Sequence, residues 1–178
     1  MTPAVAKRKP VASRRARRTV RSSTAALSTT AGGAATAPNI KSRRYIESSA
    51  LIAALLEGDA AAKASIRAQG QRVTSALTVA ESSRAVLRAR LSGRITAQQE
   101  RAAMLTLQRF TRRCHLVSVT DAILAHAGRP FPVEPIRTLD AIHLATAEAL
   151  GDPPALLTII TRDLRVRDNA TALGHPVE

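Results

Sequence analysis

The stretch Leu156-Leu157-Thr158-Ile159-Ile160-Thr161-Arg162-Asp163 decides the fold class. Its first six residues form a short apolar run that reads as a strand, and Asp163 to Leu173 reads as a helix stopped by Gly174. The same alternation recurs upstream. Arg44 to Ile46 reads as a short strand and Ser48 to Leu56 as a helix. Ala60 to Gln69 is a second helix, ended by Gly70, and Arg72 to Thr74 a short strand. Ser75 to Leu91, closed by Gly93, and Ala97 to Arg113 are longer helices. His115 to Val119 reads as a strand, followed by a short helix from Thr120. A Pro-rich loop, Pro130 to Pro135, leads into another helix, and Pro176-Val177 ends the chain on a small strand. Strands that alternate with helices, and are too short and apolar for hairpins, predict an α/β fold with a parallel sheet wrapped by helices. In such sheets ligands bind beyond the carboxyl ends of the strands. Polar residues that directly follow a strand are therefore the ones to inspect.

The chain has 178 residues and is 45% hydrophobic, enough for one domain with a core and some further length. The longest apolar run, Ala50 to Leu56, is far too short to cross a bilayer. Cys114 is the only cysteine, which excludes an internal disulfide framework and suits a reducing compartment. The net charge of +14 is unevenly spread: Met1 to Arg44 holds 11 of the 27 basic residues and no acid. The remainder carries 16 basic against 13 acidic residues, so the basicity belongs to the tail. No helical or strand period is sustained before Arg43. Residues 1–42 are expected to be a disordered basic extension, and residues 43–178 the folded domain. Three readings fit the extension: a start codon assigned too far upstream, a phosphate-attracting arm, or an organellar targeting segment.

Four acids stand out. In Ile136 to Ala147, "IRTLDAIHLATA", Asp140 shares a helix face with Ile136, Leu144 and Ala147. Thr138 is a candidate cap, which would put Asp140 in the first turn where a negative charge suits the dipole. A carboxylate on an apolar face is nonetheless costly unless something compensates it, and a cation would. Glu47 follows the first strand directly, and Asp163 follows "LLTIIT" by two residues before a helix. Glu81 lies in "LTVAESSRAVL", with a surface pair to Arg84 as its ordinary explanation. Each has a bland reading alone. Converging at the ligand side of a sheet, all four could not stay ionised unaided. Mg²⁺ or Mn²⁺, which take oxygen ligands, would relieve the repulsion and suit phosphodiester hydrolysis.

The segments "YIESSAL" (Tyr45 to Leu51), "TSALTVAE" (Thr74 to Glu81), "RTLDAIHLATA" (Arg137 to Ala147) and "ITRDLRVRDNATALG" (Ile160 to Gly174) carry a family resemblance. Together they resemble the four motifs of PIN-domain ribonucleases, above all the VapC-type toxins of bacterial toxin–antitoxin pairs. The resemblance spans residues 43–178. It implies a three-layer α/β/α fold with a central parallel sheet. It also implies Mg²⁺- or Mn²⁺-dependent endonucleolytic cleavage of RNA, leaving a 3′-hydroxyl and a 5′-phosphate. Carried over by motif, Glu47, Glu81, Asp140 and Asp163 form the acidic pocket, with Glu47 and Asp140 as direct metal ligands. Glu81 and Asp163 hold metal-bound water or a second ion. Ser49 matches the Thr or Ser whose hydroxyl meets a site carboxylate. One position departs from the pattern: Glu47 stands where the family usually has Asp. The resemblance further implies a cognate antitoxin, a homodimer, a bacterial cytoplasmic location and no membrane association; Ala-rich helices such as Ser48 to Leu56 are suited to such contacts, and core packing explains them equally well. The alternative reading is a catalytically weak PIN-fold module that binds RNA or protein.

Other residues are set aside. His143 reads as packed or hydrogen-bonded rather than as a ligand. Cys114 and His115 are neighbours on a strand, so they point to opposite faces. His126 and His175 lack a partner at metal-binding spacing, and Asp168 falls mid-helix. No zinc pattern, Gly-rich phosphate loop or dinucleotide fingerprint is present. Tyr45, Phe110 and Phe131 are the only aromatics, too few for a base-stacking platform. Contact with RNA would fall to basic side chains, with Arg84, Arg88 and Arg137 nearest the expected pocket. If the basic extension is an RNA-binding arm, deleting residues 1–40 lowers RNA affinity and flattens its salt dependence. Filter binding across a salt series measures both, and unchanged slopes would make the extension a passenger.

Overall fold

The computed structural model describes residues 42–178. Apart from Ser42, the expected basic extension lies outside the described residues. The sheet has four parallel strands: β1 (Arg43–Ile46), β2 (Gln71–Ser75), β3 (His115–Val117) and β4 (Leu157–Ile160). Their order is β3-β2-β1-β4, so β1 is flanked by β2 and β4. Tyr45 pairs with Val73 on one side and Ile159 on the other. The chain end returns alongside β4, where Val177 bridges Ile159 in parallel.

Helices cover both faces. They are α1 (Ser48–Ile52), continued by a π-helical turn over Ala53–Glu57, α2 (Ala60–Arg67), α3 (Ala76–Leu91), α4 (Ala97–Thr111), α5 (Asp121–Ala127), α6 (Thr138–Glu148) and α7 (Leu164–Ala172). Successive strand residues point to opposite faces, and this alternation builds two cores. Tyr45 and Ile159 join Val73, Leu144, Ala145 and Val166 on the face covered by α5, α6 and α7. Ile46 and Ile160 join Leu51, Ile66 and Leu107 on the face of α1, α2 and α4. The result is the three-layer α/β/α arrangement. No helix among the described residues is long and apolar enough to cross a membrane.

Most sequence expectations fall within a residue or two of the observed bounds. The expected strand His115 to Val119 stops at Val117, because β3 is an edge strand with one neighbour and little burial. Thr138 is not the cap of α6. Arg137 takes that place in extended conformation without a side-chain bond, and Thr138 is the first helical residue. The loop before α6 is held by Asn169 of α7, which is fully buried. Its amide accepts from the Val133 N–H at 2.9 Å and donates to the Val133 carbonyl at 2.9 Å.

Gly70 makes the turn into β2 with φ +133°, and a Cβ there would lie 2.8 Å from the Ser42 carbonyl oxygen. That oxygen also accepts from the Gln71 N–H at 3.0 Å, so it cannot move freely. Gly70→Ala should destabilise the fold by roughly 1–3 kcal/mol, the cost of forcing a side chain into this conformation. Urea unfolding measures the loss, and an unchanged midpoint would contradict it.

Candidate active site

Glu47 and Asp163 lie at the carboxyl ends of the adjacent strands β1 and β4 because those strands pair in register, Ile46 opposite Ile160. The Glu47 N–H carries the ladder one step further by donating to the Ile160 carbonyl at 3.0 Å. Glu47 then caps α1, and Asp163 caps α7 through the Arg165 N–H. Glu81 projects from α3 and Asp140 from the first turn of α6.

Glu47 is almost fully buried, at 3% exposure, so its charge must be met locally. Oε2 accepts from the Ser49 N–H at 2.9 Å, the Ser49 hydroxyl and the Thr161 hydroxyl at 2.9 Å. Oε1 accepts from the Ser48 hydroxyl at 2.6 Å. Ser49 does more than meet a carboxylate. Its Oγ also accepts from the Arg162 and Asp163 N–H groups, at 2.7 and 3.1 Å. One hydroxyl thus ties the β1 end to the β4 end.

Glu81 is not paired with Arg84, which is exposed. Its Oε2 instead lies 2.7 Å from His143 Nε2, and the same nitrogen is 3.5 Å from Glu47 Oε1. Burial opposes ionisation of Glu81, but the His143 hydrogen bond and charge, with Ser48 and Arg88, hold its pKa below the usual value. His143 is fully buried and completes the chain with Nδ1 3.0 Å from the Tyr45 phenol oxygen. Ligand atoms of Glu47, Glu81 and His143 lie within 4.8 Å of one another.

Asp140 is the strained member. Burial raises its pKa, and repulsion from Asp163 and Glu47 raises it further, against partial relief from Arg137 and His143. Its Oδ2 is buried and has no hydrogen-bond partner. An orphaned carboxylate oxygen facing two other carboxylates is a donor set that fits a hard divalent cation. Of the three arginines expected near the pocket, Arg88 and Arg137 act electrostatically on Glu81 and Asp140. Arg84 makes no ion pair among the described residues.

The remaining candidates stay outside the site. His126 stacks on Phe131 and meets Glu148 at 3.3 Å, and His175 faces the Leu157 carbonyl. Cys114 is half-buried, and burial pushes its thiol up to about 11, which disfavours the thiolate. Tyr45, Ser48 and Thr161 are site residues that sequence reasoning missed. Tyr45 lies two positions before Glu47, on the strand's other face from Ile46, and Thr161 immediately follows β4; both positions were visible signals.

The PIN-domain pattern matches residues 44–171. The chain belongs to the PIN-domain family. Two ribonucleases of Mycobacterium tuberculosis are similar to it. VapC46 is 40% identical over 136 residues, covering 75% of this chain and 94% of that protein. VapC35 is 33% identical over 137 residues, covering 75% of this chain and 93% of that protein. The fold is shared with VapBC2 of Rickettsia felis, solved bound to a DNA fragment from their promoter. There the TM-score is 0.53 and identity 12%, over 76% of this chain and 97% of that one. The family placement therefore rests on the near-complete span of the VapC relatives, and the distant structure supports the fold.

The pKa direction at Asp140 yields a stability test. Its folded value lies above the ordinary 3.8, so the folded state holds the proton more tightly than the unfolded state. The cost of ionising it is absent well below pH 3.8 and fully present above the raised value. In metal-free protein at neutral pH, Asp140→Asn should therefore melt at or above the wild type, with the difference shrinking as pH falls toward 3.8. Calorimetry across pH decides this, and a lower-melting variant at neutral pH would make Asp140 a structural acid.

Proposed function

We propose that this PIN-domain protein is a divalent-metal-dependent endoribonuclease, the toxin of a toxin–antitoxin pair. The observation that carries the reading is the buried, unpartnered Asp140 Oδ2 amid like charges. Asp140 and Glu47 would hold Mg²⁺ or Mn²⁺ directly, with Glu81 and Asp163 completing the acidic set. When bound, such a cation supplies an activated water and neutralises charge on the phosphate. The chain's own residues prepare the place. Ser49 and Thr161 hold the Glu47 carboxylate, and His143 holds that of Glu81. Asp163 is kept at the strand end by the Ser49 and Thr161 oxygens that accept its N–H.

Arg84 and Arg88 are one helical turn apart on α3, on the side from which Glu81 projects, and Arg137 precedes Asp140. They would bear on the RNA backbone, the substrate being a structured RNA such as a transfer RNA. An antitoxin partner, a homodimer and a bacterial cytoplasmic location belong to the same reading, and the fold shared with VapBC2 supports the first of these. A second reading has one observation in its favour. The four donors already spent on Glu47 leave its carboxylate less free to bind metal, as expected of a weakly catalytic RNA- or protein-binding module.

Purified protein should cut RNA with Mg²⁺ or Mn²⁺ and not with EDTA. Asp140→Asn should lower the rate by roughly 100-fold or more, the scale of losing a several-kcal/mol electrostatic interaction. Gel-resolved cleavage of total and transfer RNA measures this. RNA binding without cutting in any metal would favour the binding module.

A further inference from the structure

His143 sits at the centre of the acidic cluster with both ring nitrogens engaged. Nε2 is 2.7 Å from Glu81 Oε2, and Nδ1 is 3.0 Å from the Tyr45 phenol oxygen. An ionised carboxylate only accepts hydrogen bonds, so Nε2 carries the proton and donates to Glu81. The second hydrogen bond runs between Nδ1 and the Tyr45 phenol oxygen, and the ring's protonation sets its direction. Tyr45 itself is fixed on the central strand between Val73 and Ile159, at 1% exposure. The imidazole cannot turn without losing both bonds.

We propose that Tyr45 and His143 form a positioning pair, in which His143 donates through Nε2 to hold Glu81 beside Glu47 and is not itself a metal ligand. The proposal rests on the cluster being a cation site. The proximity of Glu47, Glu81 and His143 would also suit direct ligation through nitrogen. Direct ligation through nitrogen would have to break the 2.7 Å Glu81 contact, while the Tyr45 bond at 3.0 Å holds the ring in the orientation that makes it. Glu81 is the acid most in need of such a hold. It projects from the long helix α3 and, among the described residues, accepts no backbone N–H as Glu47 does from Ser49.

The test uses the full chain. In ¹⁵N-labelled, metal-free protein, long-range ¹H–¹⁵N spectra should show His143 protonated at Nε2. Mn²⁺ titrations followed by electron paramagnetic resonance should show affinity falling roughly 10- to 100-fold in His143→Gln and in the milder Tyr45→Phe, the scale for an outer-shell partner of a metal ligand. Circular dichroism checks that each variant is folded, and spin-echo spectra should show no nitrogen bonded to Mn²⁺. A bare Nε2, a nitrogen bonded to the metal, or unchanged affinity in folded Tyr45→Phe would overturn the positioning role alone. Wild-type protein that binds no Mn²⁺ would overturn the cation site, and the positioning role with it.

Discussion

The parallel pairing of β1 with β4 brings Ile46 level with Ile160, and everything at the site depends on that register. Because the strands end level, Glu47 and Thr161 emerge side by side, and the Thr161 hydroxyl reaches the Glu47 carboxylate. Ser49 then accepts from the Arg162 and Asp163 N–H groups and locks the following turn. A slip of one residue would turn every side chain of the strand to the other face. Tyr45 would leave its core, and the support of His143 would go with it. The two packed layers oppose such a slip, since Tyr45 and Ile46 each anchor a different core.

Around that frame the electrostatics are deliberately unbalanced. Glu47 and Asp163 cap helices, and Asp140 lies in a first turn, so three helix N-termini direct their positive ends toward the acids. Each such contact is worth about 0.3–1 kcal/mol at exposed sites, less than the repulsion between neighbouring buried carboxylates. Burial first, and then repulsion from Asp163 and Glu47, keeps the pKa of Asp140 raised. Charges left uncompensated in the fold are a common cost of function, since activity and stability compete at such sites.

The substitution of Glu for the usual Asp at position 47 is accommodated locally. The longer side chain is gripped by Ser48, Ser49 and Thr161, while Oε1 stays within 3.5 Å of His143. The hydroxyl-rich "ESS" sequence and the Thr after β4 supply those donors.

Much of the fold was readable in the chain itself. Period and punctuation are local properties, so Gly70, Gly93, Gly174 and the apolar runs marked the elements, and acids placed after strands marked Glu47 and Asp163. Partners across the sheet were not readable. The Glu81–His143 bond joins residues 62 positions apart, and Glu81 beside Arg84 looked like a surface pair. The Tyr45–His143 contact spans 98 positions, and the Glu47–Thr161 contact 114. Sequence determined the residue types, the element order and the side of the sheet where chemistry could lie, because backbone propensity and polarity act between near neighbours. Tertiary structure alone decided which donor meets which carboxylate and which oxygen is left bare, because those depend on register and layer packing between distant segments.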